Sequence, residues 1–308
     1  MSAAWVAGVT RARGLLAHAP GPSGAREVAT AGTPADALRR LAASPYQRVP
    51  AAASLATAQR AVTGTLLWHL RVLAGWLPHR GVECLRLLAS GFEIANIEAR
   101  FRQLNGAEGE PAPYELGALA TAWHRAARAA GPGELRAALS TSAWRDPGGT
   151  AAELAVGLRL TAAARTAARV PGAARWSAGR AALLVARERF VLGRDLPDRA
   201  RAPAARLLGA AHRAPDFDAY RRRLPPAAGW ALRGIDAPEG LWRAEGRWWR
   251  DIEQDGLRMA RRTRYDAIPV VGAVAALSAD AWRMRAALAL AAHPGVPREE
   301  SDGFGVLV

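Results

Sequence analysis

The chain of 308 residues is half apolar and 22% charged, which excludes a disordered tail and allows a sizeable core. Its formal charge is +15, and all 42 basic residues are arginine. The absence of lysine excludes sites that require one, such as a Walker A loop, a Schiff base or a Ser-x-x-Lys nucleophile. The single cysteine, Cys84, excludes a disulfide within the chain and a zinc site built from several thiolates.

The arginines are dispersed along the chain, and their densest groups, at 221–223 and 258–264, are short. Their abundance beside alanine and glycine, without lysine, is typical of a GC-rich genome and favours solvated helix faces as their explanation. The alternative is a true electrostatic role, and an anionic membrane surface or an acidic partner fits that role as well as nucleic acid does.

The N-terminus and the apolar runs predict neither a signal peptide nor a membrane span. Residues 1–9 lack a basic region and carry only a short apolar stretch. The longest apolar run, 268–279, is well short of the roughly 20 residues that a spanning helix needs. We therefore expect a cytoplasmic protein that can still attach to a membrane complex from outside.

Apolar residues recur in steps of three and four along most of the chain, which is typical of one-sided stripes on helices. The clearest stripes run through 85–104 and 270–288. Strand-like alternation is missing and β-branched residues are few, so we predict an all-α fold. Long helices are expected over 54–104, 151–193 and 239–292. Breaks are expected at the Pro- and Gly-rich segments 20–22, 131–133, 147–149 and 225–226.

A segment of 14 residues occurs twice: 33–46 and 131–144 align without a gap. Both have proline at the second place, an acid at the fourth, leucine at the ninth, serine at the twelfth and an aromatic residue at the end. This pattern predicts a short capped helix followed by an aromatic anchor. A poorer third copy begins at Asp216 and is followed by Trp230. We predict one domain with three helical repeats, at approximately 1–106, 107–200 and 201–308.

Motifs that carry known chemistry are missing. The sequence has no His-Glu-x-x-His, Gly-x-Ser-x-Gly or Gly-x-Gly-x-x-Gly, and its six histidines are scattered. Asp251, Glu253 and Asp255 are the nearest approach to a carboxylate cluster, but spacing of two residues spreads them around a helix. We expect no catalytic, cofactor-binding or metal-binding residues. The 11 tryptophans are interpreted as core filler, with an exposed aromatic platform as the alternative.

Residues 91–100, Gly-Phe-Glu-Ile-Ala-Asn-Ile-Glu-Ala-Arg, resemble a helix of the central-stalk subunit of V-type and A-type rotary ATPases. That subunit is called C in archaeal and bacterial complexes and d in eukaryotic ones, and its helix reads acid-Ile-x-Asn-Ile/Leu-x-x-(Leu)-Arg, in which the leucine is not always present. The Leu-x-x-Ser-x-Tyr segment 41–46 is similar to part of the family's first repeat, and 267–285 to part of its last. The middle repeat departs from the pattern, because 182–189 lacks the acid and the asparagine.

The resemblance implies a funnel of three pseudo-symmetric helical repeats that lies peripherally on the inner face of the plasma membrane. The family's subunit is not catalytic and couples the rotor shaft to the membrane proteolipid ring during ATP-linked proton or sodium transport. Shaft and ring are thus the expected partners, with an anionic lipid surface as a further candidate. No cofactor, small-molecule substrate or specific nucleic acid is expected.

Five residues are candidates for fixing the register of the repeats or for contacting a partner, with ordinary pairing inside the chain as the alternative for each: Glu93, Asn96, Arg100, Asp280 and Arg285. Two other functions stay open. One is an arginine-rich helical protein associated with nucleic acid, which would bind it with strong salt dependence. The other is a helical scaffold with no rotary partner.

Overall fold

The computed structural model describes residues 2–50 and 53–293, and within these residues it contains helices and no strand. The all-α prediction is therefore confirmed. The α-helices in chain order are α1 Ala3–Ala17, α2 Gly21–Ala29, α3 Pro34–Ala42, α4 Leu55–Ala74, α5 His79–Leu88, α6 Ser90–Leu104, α7 Trp123–Ala126, α8 Pro132–Ser140, α9 Ala151–Arg169, α10 Ala174–Ala186, α11 Asp198–Leu208, α12 Phe217–Arg223, α13 Pro226–Gly229, α14 Leu241–Ala260 and α15 Ala267–Ala292.

The helices belong to two compact units. Among the described residues, the terminal unit combines the chain up to Gly81 with the chain from Glu245 to residue 293, and the central unit is Val82–Ala244. Local patterns do not reveal this division, because the helices that make up the terminal unit come from both ends of the chain. The three predicted repeats are a different kind of division, and their boundaries stay a prediction.

Helix α15 is the central element of the terminal unit and packs against α1, α2, α3 and α4. Among the described helices it alone is long and apolar enough to cross a membrane, but 78% of its most apolar window is buried inside the protein. A helix that is apolar on all sides and covered by other helices is typical of a protein core. The members of the predicted stripe along 270–288 are buried, among them Val270, Val274 and Met284. Val271 and Ala273 are buried as well, so burial is not confined to one side of the helix as the stripe predicts.

Two glycines let α14 and α15 approach closely. A Cβ atom added to Gly272 would lie 2.5 Å from the carbonyl oxygen of Gly256, and one added to Gly256 would lie 2.7 Å from that of Gly272. These separations are too short for any real Cβ atom, so the crossing requires glycine at both positions.

The central unit is built on α6, α9 and α10. Helix α9 packs against the other two and against α11, and it begins with a capping box between Thr150 and Glu153. Helix α10 continues into a π-helical turn over Arg187–Val191. One core cluster joins α6, α8 and α9 around the fully buried Trp144.

The predicted long helices are each divided in the structure. The stretch 54–104 contains α4, α5 and α6, with interruptions at Gly75–Pro78 and at Ala89. The stretch 151–193 contains α9, α10 and the π turn, and 239–292 contains α14 and α15. The Pro- and Gly-rich segments at 20–22, 131–133 and 225–226 mark helix starts, since proline fits the first turn, where its missing N–H costs no hydrogen bond.

Candidate functional site

The two copies of the 14-residue segment form the same hydrogen-bonded turn. Ser44 Oγ donates to the carbonyl three residues earlier at 2.6 Å and accepts the N–H of Tyr46 at 3.1 Å. Ser142 Oγ makes the same two bonds, at 2.6 Å to the carbonyl three residues earlier and 3.1 Å from the N–H of Trp144. In both copies the turn places a buried aromatic side chain just after the short helix, as the sequence predicts.

The short helices before these turns also begin alike. Thr33 precedes α3 with extended backbone and accepts the N–H of Asp36 on its side chain at 3.1 Å. Gly131 precedes α8 with extended backbone, and there Glu134 accepts the N–H of Ala130 at 2.8 Å. An acid in the first turn thus stabilises both helix starts, although through different partners.

Asp280 on α15 is 3% exposed and joins three parts of the terminal unit. Its carboxylate accepts the N–H of Gly21, the first residue of α2, at 2.8 Å and the hydroxyl of Tyr46 at 2.9 Å. Gly21 has φ of +64°, a conformation that favours glycine. The guanidinium of Arg283 lies 3.6 Å from the same carboxylate.

Burial dominates the electrostatics of this site. It raises the pKa of Asp280 above its ordinary value, against the opposing effect of the Tyr46 hydroxyl and the Arg283 charge. Burial also raises the pKa of Tyr46 far above its ordinary value, and the neighbouring Asp280 charge adds to the effect. Tyr46 therefore remains a hydrogen-bond donor to Asp280 throughout the physiological pH range.

Glu93 on α6 occupies a comparable place in the central unit and is 1% exposed. Its carboxylate accepts three backbone N–H groups at the start of α7, from Thr121 at 2.8 Å, Ala122 at 2.6 Å and Trp123 at 2.7 Å. These groups have no partner inside α7, because Trp123 is its first residue and Ala122 and Thr121 precede it. One buried side chain therefore fixes the position of α7 relative to α6.

The two acids have matching surroundings. Asp280 holds the start of α2, which precedes the repeated short helix α3, and Glu93 holds the start of α7, which precedes α8. Helix α15 packs against α2, α3 and α4, and α6 packs against α7, α8 and α9 in the same order. The two short helices of the sequence repeat are therefore each preceded by a helix whose start is bonded to a buried acid.

Asn96 lies one turn after Glu93 and is 2% exposed. Its side-chain Nδ2 donates to the carbonyl of Tyr114 at 2.8 Å, and its Oδ1 accepts the N–H of the same residue at 2.7 Å. Only an amide supplies a donor and an acceptor in this arrangement, which explains asparagine at this position. Tyr114 also packs edge-on against Phe92, with ring centroids 5.2 Å apart.

Arg100 extends the same helix face toward α8. Its guanidinium donates to the carbonyl of Ala129 at 2.6 Å, two residues before the start cap of α8. Arg189 ends the stretch 182–189 of the middle repeat and was not among the predicted site residues; its guanidinium donates to the carbonyl of Ala214 at 2.6 Å. Ala214 lies two residues before Asp216, the cap of α12.

The stretch 182–189 lacks the acid, and Ala182 stands at the place that corresponds to Glu93. Seven residues before Arg100 stands Glu93, and seven residues before Arg189 stands Ala182. There the carbonyl of Ala182 accepts the hydroxyl of the fully buried Tyr220 at 2.8 Å. The alignment of 182–189 with 93–100 was the signal in the sequence that could have identified Arg189 as a site residue.

The remaining candidate, Arg285, is half-buried on α15, and its backbone carbonyl accepts the side-chain amide of Gln59 on α4 at 3.2 Å. The structure thus brings Glu93, Asn96 and Arg100 together along one helix, whereas Asp280 and Arg285 belong to the terminal unit. The side-chain polar groups of Glu93, Asn96 and Asp280 are buried and form hydrogen bonds inside the chain, as expected from the alternative of ordinary intramolecular pairing. A role in fixing the register of the repeats stays a prediction.

A second polar cluster was not identified from the sequence. Asp146, after the turn at Trp144, receives the guanidinium of Arg136 at 2.8 Å and that of Arg199 at 2.7 Å. The hydrogen bond from Arg136 is the main reason that the pKa of Asp146 falls to about 2. Arg145 beside it has φ of +62°, which is uncommon for a residue other than glycine.

The described residues contain no group of three or more His, Cys, Asp or Glu side chains that could hold a metal ion. Comparison of the chain with known protein families and with curated proteins finds no match. Its function must therefore be argued from its own geometry.

Proposed function

We propose that the chain is a non-catalytic central-stalk subunit of a V-type or A-type rotary ATPase. In this role it couples the rotor shaft to the membrane proteolipid ring and lies on the inner face of the plasma membrane. One observation carries the proposal: an arrangement of helices that occurs twice. In this module, a buried acid on one helix binds the start of a second helix, and the second helix precedes a capped short helix. The module occurs around Asp280 and again around Glu93.

The third copy supports a three-repeat architecture. Arg189 and Arg100 donate to carbonyls at the same place before their short helices, and Ala182 takes the position of Glu93. The family resemblance of residues 91–100 implies three repeats, and the hydrogen bonds extend this correspondence beyond the residues that carry the resemblance.

The geometry suits a part that transmits force without making or breaking covalent bonds. Torque would act to slide a long helix along the short helices that it contacts. Charge-assisted bonds such as those of Glu93 oppose this sliding, because breaking them leaves buried N–H groups without partners. Asn96 adds a two-point clamp, so that the same helix is also fixed against rotation.

Co-purification tests the proposal directly. The tagged chain is expressed in its native host, membranes are solubilised gently, and bound proteins are identified by mass spectrometry. We expect the catalytic A and B subunits and the proteolipid to be recovered. Recovery from the soluble fraction alone, with nucleic acid or without any partner, would refute the proposal.

A second measurement tests coupling. In isolated membranes, Glu93→Gln should lower ATP-driven ion transport more than ATP hydrolysis, because it loosens a coupling element and leaves the catalytic sites intact. Glu108→Gln is the matched control, since Glu108 is exposed on the loop after α6. Equal losses of transport and hydrolysis in the Glu93 variant would contradict a coupling role.

Nucleic-acid binding is the second candidate, and the exposed arginines favour it. It predicts tight binding whose logarithm falls linearly with the logarithm of the salt concentration. The rotor proposal predicts weak binding without sequence preference. A filter-binding titration at two salt concentrations separates nucleic-acid binding from the rotor function. If the chain binds neither nucleic acid nor ATPase subunits, the helical scaffold is the remaining function.

A further inference from the structure

An exposed surface rich in arginine lies along the second half of α14 and the turn after it. Arg250, Gln254, Arg258 and Arg261 are separated by four, four and three residues and lie on one side of the helix, where all four are exposed. The turn that follows adds exposed Arg262 and Arg264. We call Arg250, Arg258, Arg261, Arg262 and Arg264 the arginine face. From Arg250 to Arg261 it extends about 16 Å along the helix.

Most of this charge is not neutralised. Arg258 pairs with Asp255 and Arg264 with Asp266, but both arginine side chains remain 74% exposed. Such surface pairs contribute little and leave the guanidinium available to a stronger partner. Within residues 2–50 and 53–293, the other three arginines of the face make no ion pair.

The turn beside the face is held by another arginine. Arg13 on α1 donates from Nε to the carbonyl of Ala260 at 3.0 Å and from its terminal nitrogen to the carbonyl of Arg262. Its guanidinium also lies over the ring of Tyr265, 5.7 Å from the centroid. The backbone under the exposed arginines is therefore fixed before any partner binds, which lowers the entropy cost of binding.

We propose that the arginine face docks the terminal unit on an anionic membrane by binding the phosphate groups of lipid headgroups. Guanidinium groups bind phosphate oxygens in a bidentate manner. The inference rests on the proposed function, which brings the chain to a membrane surface. It adds that the chain itself, and not only its protein partners, contacts the lipid.

Two observations favour lipid over other polyanions. No aromatic side chain is exposed between Arg250 and Arg264, so the face offers no stacking surface for the bases of a nucleic acid. No acidic side chain is exposed there either, whereas a specific protein partner usually meets a mixed pattern of charges that fixes its register. A surface of one sign suits mobile anions that can rearrange around it.

Vesicle co-sedimentation tests the inference with the full chain. We expect binding to vesicles of 70% phosphatidylcholine and 30% phosphatidylglycerol in 0.1 M salt, and at least tenfold weaker binding to pure phosphatidylcholine. Changing the five arginines of the face to glutamine should weaken binding to the anionic vesicles at least tenfold. High salt should remove it, because headgroup charge is screened.

A matched control changes five exposed arginines of the central unit to glutamine and removes the same charge: Arg125, Arg128, Arg194, Arg206 and Arg213. This variant should stay within twofold of the unchanged chain. Three results would overturn the inference. They are an equal loss of vesicle binding in both variants, no binding to anionic vesicles, and tighter binding of duplex DNA or RNA through the arginine face. If vesicle binding fails while co-purification recovers the ATPase subunits, the lipid inference alone fails. If the chain binds anionic vesicles but recovers no ATPase subunits, the proposed function alone is refuted.

Discussion

Replacing Glu93 by alanine should destabilise the central unit strongly. The change removes the acceptor of three backbone N–H groups at the start of α7, those of Thr121, Ala122 and Trp123. Ala122 is buried, and the other two residues are half-buried. The three donors would then lie in a site that water reaches poorly.

The size of the expected loss in the free energy of unfolding follows from the burial of each N–H donor. An orphaned buried N–H costs about 1–3 kcal/mol, and a partly accessible one costs less, since water can replace the lost bond. One buried donor and two half-buried donors therefore sum to about 3 kcal/mol. Glu93→Gln keeps one oxygen acceptor and the shape of the side chain, so it should cost about half as much.

Urea denaturation followed by circular dichroism measures the free energy of unfolding, with Glu108→Ala as the control. The control should change stability by less than about 0.5 kcal/mol, because Glu108 is exposed. Hydrogen exchange supplies a local measurement, in which the amides of 121–123 should exchange much faster in Glu93→Ala. A destabilisation no larger than that of the control, or unchanged exchange at these amides, would refute the reasoning.

Three further outcomes are expected. Gly272→Ala should cost about 1–3 kcal/mol in urea denaturation because its Cβ would meet Gly256, whereas Gly64→Ala, with no atom within 4 Å, should be neutral or stabilising. Tyr46→Phe should cost about 1–3 kcal/mol, because buried Asp280 loses a hydrogen-bond donor; an unchanged unfolding midpoint would contradict this role. The folded-state pKa of Asp146, about 2, lies below its ordinary 3.8. Its contribution to the free energy of unfolding is therefore present above about pH 4 and is lost as the pH falls toward 2. Asp146→Asn should flatten that part of the stability profile measured by denaturation between pH 2 and 5.

The fold class and the repeated turns could be predicted because they depend on neighbours in the sequence. The cap, the proline and the acid of 33–46 act within one helical turn, and Ser44 reaches only three residues back. The copy at 131–144 forms the same two serine hydrogen bonds, although its helix start is stabilised through a different partner. The helical stripes likewise follow from residues three and four apart.

The partners of the buried acids were decided by tertiary structure. Asp280 meets Gly21, and Glu93 meets Ala122, only because α15 and α6 pack against the helices that contain these residues. A carboxylate in a helical pattern looks the same in the sequence whether it faces solvent or a helix start. The bond from Arg189 to the carbonyl of Ala214, 25 residues away, likewise depends on tertiary packing.

Local patterns thus determined which segments are helical and where a turn repeats, because backbone bonds and caps are short-range interactions. Tertiary packing alone decided that both ends of the chain share one unit and that Glu93, Asn96 and Asp280 are buried. Burial depends on which apolar faces meet, and that is a property of the whole chain. The same packing leaves Arg250 exposed on the side of α14 that carries Arg258, so that Arg250 joins the arginines of 258–264 in one exposed surface.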